Sequence, residues 1–136
     1  MKSLMVFVPK WAITNSAILV ALCVHTLPVS AHAMLLKAEP ARRGVLTKAP
    51  TQVRLWFNEE IESAYTSLFV LDANKKPVTE TKPHVVKDDP RSVVLPLPEL
   101  LPGKYSVKFR VLSVDGHVVD SSFDYTVKNK SSAQEK

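Results

Sequence analysis

The sequence has few of the residues on which several protein classes depend. Its 136 residues include a single cysteine, which excludes an intrachain disulfide framework and a cysteine-rich zinc or iron–sulfur site. It contains no cofactor fingerprint and no evident nucleophile–base pair, so we do not predict an enzyme. The chain is also too short for a full α/β barrel or a two-domain Rossmann enzyme, and it forms one domain at most.

Charge and periodicity exclude two further classes. The 18 lysines and arginines exceed the 13 acidic residues by only five. Because no dense basic run concentrates this excess, nucleic acid is not a predicted partner. No segment carries a convincing apolar stripe with a period of 3.6 residues, which argues against a helical fold.

The first 31 residues are predicted to be a secretory signal peptide. Lys2 and Lys10 are their only charges, an apolar run covers residues 17–24, and small residues lead up to Ala31. This order matches the three regions of a cleavable leader. A membrane anchor is the alternative, but the apolar run is shorter than the ~20 residues of a span. We therefore expect export to the periplasm and no stable membrane insertion after cleavage.

The cleavage site decides which residue begins the mature chain. Cleavage after Ala31 leaves His32 as the N-terminus, whereas cleavage after Ala33 removes it. Both positions satisfy the small-x-small rule. The mature chain keeps about a hundred residues and no cysteine, so it must bury a core without disulfides.

The mature chain is predicted to be all-β. Residues 52–57, 105–111 and 121–127 alternate apolar with polar side chains, and shorter apolar runs cover residues 34–38, 67–71 and 92–95. Period-two patterns between turn signals are typical of half-buried strands. We predict an immunoglobulin-like Greek-key β-sandwich of about seven strands over residues 32–127, followed by a disordered polar tail, residues 128–136.

The same alternation predicts which side chains face the core. The inner faces are expected to hold nine residues: Leu55, Phe57, Phe69, Leu71, Val94, Val107, Phe109, Phe123 and Tyr125. Trp56 is predicted to point outward, either under a loop or towards a site or partner.

If cleavage occurs after Ala31, three histidines remain: His32, His84 and His117. His117 lies in Ser113-Val114-Asp115-Gly116-His117, between two predicted strands. A turn at Gly116 allows the Asp115 carboxylate and the His117 imidazole to converge on one metal ion. The alternative is that Asp115 caps loop backbone beside an exposed histidine. His84 has no such companions and is interpreted as a surface-loop histidine.

His32 changes the metal hypothesis if it becomes the N-terminus. Its α-amine, with an ordinary pKa of about 8, and its Nδ1 atom can then chelate one ion. Together with Asp115 and His117 they form a set of three nitrogens and one oxygen. Such tetragonal nitrogen–oxygen ligation favours Cu(II). A frayed terminus with an incidental histidine is the alternative.

Five motifs in this order resemble the CopC/PcoC copper-resistance domain family, also called YobA-like. They are His32-Ala33 at the mature N-terminus, a proline followed by Gly44, Leu55-x-Phe57-Asn58-Glu59, Pro102-Gly103-x-Tyr105 and Ser113-x-Asp115-Gly116-His117. The resemblance implies a periplasmic, immunoglobulin-like sandwich that binds one Cu(II). It implies ligands at His32, Asp115 and His117, a copper carrier or resistance role, and a membrane partner of the CopD type.

Two residues, Glu59 and Met34, need an interpretation of their own beside the family resemblance. Glu59 matches a family glutamate that is sometimes placed near Cu(II), although a solvated carboxylate at a strand end is an alternative of at least equal weight. Met34 is the only methionine left after cleavage and is expected to pack in the first strand. We therefore predict no Cu(I) methionine site, since Cu(I) prefers thioether ligands.

Two other functions remain open at this stage. One is a metal-free interaction module, because such sandwiches serve many functions, and it becomes the favoured hypothesis if cleavage falls after Ala33. The other is a copper-dependent oxidative enzyme, against which the Asp115 carboxylate would occupy a position that O₂ chemistry needs open. The chain is expected to be a monomer. The sequence does not distinguish copper uptake from detoxification.

We predict that the protein, exported by its own leader, begins at His32. Intact mass spectrometry of the periplasmic product measures this directly. A mass that begins at Met34 would contradict the predicted cleavage and would remove the proposed N-terminal ligand.

Overall fold

The computed structural model describes residues 33–129, which belong to one compact unit, Ala31–Lys136. The predicted leader, His32 and residues 130–136 of the predicted tail lie outside the described residues. The described chain is all-β, as predicted, with a single 3-10 turn at Ser63–Tyr65. Its eight strands are β1 (Leu35–Glu39), β2 (Val45–Leu46), β3 (Gln52–Phe57), β4 (Ser67–Leu71), β5 (His84–Val86), β6 (Asp89–Pro96), β7 (Gly103–Leu112) and β8 (Val118–Val127).

The strands form two four-stranded sheets. The order is β1-β3-β6-β5 in the first sheet and β2-β8-β7-β4 in the second. All neighbours are antiparallel except β2 and β8, which run parallel. Inward side chains of both sheets join in one buried apolar cluster, in which the rings of Phe57 and Phe109 meet edge to face at 5.9 Å.

Alternating strands bury the faces that their patterns predict. Val53, Leu55 and Phe57 of β3 are at most 1% exposed, whereas Arg54 and Trp56 between them keep contact with solvent. The long strands β7 and β8 alternate in the same way. Because successive side chains in a strand point to opposite faces, each alternating run has only one way to cover the core.

Strand β4 buries the opposite face from the one predicted. Leu68 and Val70 are each 1% exposed, while Phe69 is 51% exposed and Leu71 is only half-buried. The run is apolar throughout, so its own pattern does not indicate an inward face. Pairing with β7 decides it: Leu68 lies opposite the buried Phe109, whereas Phe69 lies opposite Lys108, and opposed residues share a face.

Val94 was also assigned wrongly to the inner face. It is buried, but its neighbours Val93 and Leu95 join the core cluster and Val94 points to the other side of β6. There it lies opposite Arg54, in line with the outward face of β3.

Trp56 points outward, as predicted, and is covered by two cations: Lys37 Nζ and Arg54 Cζ lie 4.5 and 4.7 Å from its ring centroid.

A tyrosine pair closes the core at the start of β7. The Tyr105 hydroxyl donates a hydrogen bond of 2.6 Å to the Leu101 carbonyl, and its ring stacks on Tyr125 at 5.5 Å. Burial raises the pKa of both tyrosines above the ordinary value. Both phenols therefore remain neutral near neutral pH.

No helix within residues 33–129 is long and apolar enough to cross a membrane.

We predict that Leu68→Ala and Phe69→Ala differ sharply, although the two positions are adjacent. Leu68→Ala creates a cavity in the core and should lower the free energy of unfolding by about 2–4 kcal/mol. Phe69→Ala removes a half-exposed ring and should change it by less than about 1 kcal/mol. Urea denaturation of both variants measures the difference. A larger loss for Phe69→Ala would contradict the observed orientation of β4.

Candidate metal site

The turn between β7 and β8 holds His117 in a closed hydrogen-bonded loop. The Ser113 amide donates to the His117 carbonyl at 2.8 Å, and the His117 amide donates to Ser113 Oγ at 3.0 Å. The Gly116 amide closes the loop on the Ser113 carbonyl, and Gly116 has a φ of 87°, which suits glycine. Ser113 is 1% exposed, so the loop is anchored to the core at its base.

A second segment, residues 59–62, is attached to this turn. The Val114 amide donates to the Glu60 carbonyl at 3.0 Å, and the Glu62 amide donates to the Leu112 carbonyl at 2.8 Å. The buried Ile61 lies between them as a bridge partner of Ser113. These contacts continue the backbone pairing past Leu112, the last residue of β7. They bring the segment that follows β3 beside the His117 turn.

Glu59 and His117 are in direct contact as a result. Glu59 Oε2 lies 3.2 Å from His117 Nδ1, and the Glu59 side chain is only 10% exposed. The alternative of a solvated strand-end carboxylate is therefore wrong. The His117 side chain is 39% exposed, so the imidazole is held from one side and reaches solvent on another.

The start of the described chain is fixed at the same corner. The Met34 amide donates to Asn58 Oδ1 at 2.7 Å, and the Asn58 amide donates to the Met34 carbonyl at 3.2 Å. Asn58 directly precedes Glu59. The N-terminal segment, the end of β3 and the β7–β8 turn therefore meet, although they are far apart in the sequence. We name this region the N-terminal corner; it comprises residues 33–34, 58–62 and 113–117.

The N-terminal corner is acidic in a protein that is basic as a whole. Its segments carry Glu59, Glu60, Glu62 and Asp115 and contain no lysine or arginine, against a formal charge of +5 for the chain. Clustered carboxylates raise the local concentration of cations. The corner is therefore a region in which cations in general are favoured over anions.

The predicted site residues are only partly brought together by the described chain. Asp115 is exposed in the turn. Within residues 33–129, no three side chains of the histidine, cysteine, aspartate and glutamate types are grouped closely enough to hold a metal ion. His32, the fourth predicted ligand, lies outside the described residues. The roles of His32, Asp115, His117 and Glu59 as metal ligands therefore stay predictions.

Two expectations about other side chains need correction. Met34 does not pack in the first strand: β1 begins at Leu35, and the Met34 side chain is 53% exposed. His84 is exposed as expected, but it begins strand β5 rather than lying in a loop. It pairs with Val94 in the middle of β6.

Sequence reasoning missed the roles of Asn58 and Ser113. Asn58 holds the N-terminal segment and Ser113 holds the His117 turn, and both act through hydrogen bonds to backbone atoms. Both residues stand in the motifs that carried the family resemblance. No local pattern indicates their partners, because the Met34–Asn58 contact joins residues 24 positions apart.

Comparison with known proteins identifies the family. A profile described as the CopC domain matches residues 35–128. The chain belongs to the CopC family. The curated Protein YobA of Escherichia coli K12 is 31% identical over 104 residues, which cover 76% of this chain and 84% of YobA.

Solved structures agree with this assignment. CopC from Methylosinus trichosporium OB3b matches with a TM-score of 0.67 and 40% sequence identity, over 71% of this chain and 94% of that protein. PcoC from Escherichia coli, described as a methionine-rich copper resistance protein, matches with a TM-score of 0.63 and 27% identity, over 72% of this chain and all of PcoC.

We predict that Asn58→Ala releases the N-terminal segment without unfolding the domain. Loss of the hydrogen bond from the Met34 amide should lower its protection from solvent exchange by about fivefold, as for a bond worth about 1 kcal/mol. Native-state hydrogen exchange by NMR measures this. Asn74→Ala, in the exposed turn after β4, is the matched control and should leave Met34 unchanged. Equal exchange in the two variants would contradict the anchor.

Proposed function

We propose that this protein captures one Cu(II) in the periplasm and acts as a copper carrier or buffer in copper homeostasis and resistance. The contact between Glu59 and His117 at the N-terminal corner carries the proposal. It combines a partly exposed imidazole with a nearly buried carboxylate, beside the anchored start of the chain. The copper resistance role named for the related PcoC supports copper as the cargo.

His117 is the central ligand in this proposal. Its Nδ1 atom faces the Glu59 carboxylate, and Nε2 is proposed as the atom that binds the metal. A carboxylate behind a ligating imidazole fixes its orientation and raises its basicity. Glu59 is therefore proposed as a positioning residue for His117 rather than as a copper ligand.

His32 is proposed to complete the site through its α-amine and Nδ1. Two peptide units extend at most about 7 Å, and Met34 is tied to Asn58, the residue beside Glu59. A mature chain that begins at His32 therefore has the reach to place its terminal nitrogens near His117. Cleavage by the export machinery generates the free amine, which links maturation of the protein to metal binding.

Asp115 is proposed as the oxygen ligand. It lies two residues from His117 in the closed turn and is exposed, so its side chain can rotate towards a bound ion at small cost. Three nitrogens and one carboxylate oxygen suit Cu(II), which heads the divalent affinity series. The acidic N-terminal corner adds a favourable field for the cation.

Capture without catalysis agrees with the donor set. The four donors fill a tetragonal plane, and the proposal includes no substrate or reaction step. The whole sequence has three methionines, of which Met34 is the only one after the predicted cleavage, so we propose no separate Cu(I) methionine site. Release then requires ligand exchange with a partner, for which a CopD-type inner-membrane copper transporter is the proposed class.

The finer fold assignment is also a proposal. We infer an immunoglobulin-like Greek-key arrangement for the two sheets. The hydrogen bond from Tyr105 in the penultimate strand to Leu101, four residues upstream, supports it. A tyrosine that bonds back to the preceding corner is a recurring device of such folds.

We predict one tight tetragonal Cu(II) site in the exported protein. His117→Ala should weaken the affinity by more than about 100-fold, and Glu59→Gln by about tenfold, as expected for an outer-shell partner. One extra glycine before His32 should weaken it comparably to His117→Ala, because the chelating amine is displaced. Competitive titration measures the affinities, and electron paramagnetic resonance reports the nitrogen ligands.

The matched control is His84→Ala. This histidine is exposed on β5, the last strand in the order of the first sheet, and it does not belong to the N-terminal corner. Its removal should therefore leave the Cu(II) affinity and the spectrum unchanged. Unchanged Cu(II) affinity in His117→Ala, or equal losses in the two histidine variants, would contradict the proposal. The protein would then be treated as a metal-free interaction module.

A further inference from the structure

The outward side of the second sheet carries a surplus of positive charge. Its long strands β7 and β8 are ten residues each, or about 33 Å in length. Five cations lie on this side or along its β8 edge, together with two carboxylates. We name this surface the basic face; its charged residues are Arg42, Arg43, Lys104, Lys108, Arg110, Asp120 and Asp124.

Two of the five cations are already neutralised. Lys104 Nζ lies 2.9 Å from Asp124 Oδ2, and Arg110 Nη1 lies 2.9 Å from Asp120 Oδ2. The hydrogen bond from Ser106 to Asp124, followed by that from Lys104, lowers the pKa of this carboxyl. The carboxylates of the basic face are thus committed to cross-strand ion pairs.

Three cations remain without an acidic partner in the described part of the chain. Lys108 is exposed on β7 between the two ion pairs. Arg42 and Arg43 run along the edge of β8, where the Arg43 amide donates to the Asp124 carbonyl at 2.7 Å. Together with Ser122 and Asp124 they line an open depression in the surface.

An exposed aromatic ring accompanies these cations. Phe69 is 51% exposed and lies directly opposite Lys108 in the β4–β7 pairing. The sequence pattern had assigned it to the core, so this outward position results from strand pairing. An exposed phenylalanine next to an unpaired lysine, with two unpaired arginines farther along the same side, combines an apolar and a cationic contact for the interface of an anionic bilayer.

The outward side of the first sheet also carries ion pairs. There Lys37 pairs with Glu39 at 2.6 Å, and Arg54 pairs with Asp89 at 2.8 Å. These two ion pairs leave no surplus charge among their four members. Lys82, Lys87 and Arg91 are further exposed cations around β5 and β6 of that sheet, so the two sheets are distinguished by the exposed Phe69 beside Lys108 rather than by charge alone.

We propose that the basic face docks on the surface of an anionic phospholipid bilayer. The inference rests on the proposed function, since only an exported protein meets the outer surface of the inner membrane. The Ser113–His117 turn connects the end of β7 to the start of β8. Docking through their outward side therefore holds the N-terminal corner at the membrane surface, where a membrane partner exchanges copper.

The test is cosedimentation of the exported, copper-free protein with vesicles. With roughly three parts phosphatidylcholine to one part phosphatidylglycerol, we expect binding that weakens when ionic strength rises to about 0.15 M. Vesicles of phosphatidylcholine alone should bind little. Arg42→Glu with Lys108→Glu should lower partitioning onto anionic vesicles by about tenfold or more.

The matched control is Lys82→Glu with Lys87→Glu. These two exposed lysines flank β5 in the other sheet, and their reversal changes the net charge by the same amount. We expect less than about a twofold effect on partitioning. Phe69→Ser should also weaken binding, whereas Leu101→Ser, at a 76% exposed position before β7 that does not belong to the basic face, should not. Unchanged thermal unfolding midpoints show that all variants fold.

Three results would overturn the proposal. They are absence of binding to anionic vesicles, equal losses in the two double variants, and binding to a soluble polyanion such as heparin without binding to vesicles. The Cu(II) titration of the same variants distinguishes this failure from failure of the proposed function. Because the basic face and the N-terminal corner share no charged residue, Arg42→Glu with Lys108→Glu should keep its Cu(II) affinity.

Discussion

The antiparallel pairing of β7 with β8 is the interaction on which the rest of the structure depends. It runs without a break over ten residue pairs, from Gly103 with Val127 to Leu112 with Val118. Its inward side chains form one wall of the core, and its outward side carries the basic face. The connecting turn holds His117, so the register of this hairpin decides both what is buried and where the candidate ligand lies.

The N-terminal corner extends that pairing. The Glu60–Val114 and Glu62–Leu112 backbone hydrogen bonds attach the end of β3 to the turn. Glu59 is thereby held with 10% of its side chain exposed and in contact with His117. A carboxylate in such a position needs a cationic or hydrogen-bonding partner, and the imidazole meets that need. The same contact orients the ring for the proposed metal ion.

Charge is distributed unevenly over the molecule. Four acidic residues stand in the segments of the N-terminal corner, while three unpaired cations lie on the basic face. The two regions impose different requirements, since one is the proposed site of a metal cation and the other the proposed contact with an anionic surface. The long β7–β8 hairpin permits this separation because its turn lies at one end, whereas the outward face extends along the strands.

The sequence by itself determined the elements whose patterns repeat. Alternation in β3, β7 and β8 allows only one inward face, and the family motifs predicted the CopC domain before any contact was known. The orientation of β4 was decided by tertiary structure, because its unbroken apolar run fits either face until Leu68 pairs with Phe109. The contact of Glu59 with His117 was also decided there, since it joins residues 58 positions apart. Local patterns report the period of a strand, whereas only the pairing of distant strands brings such residues within hydrogen-bond distance.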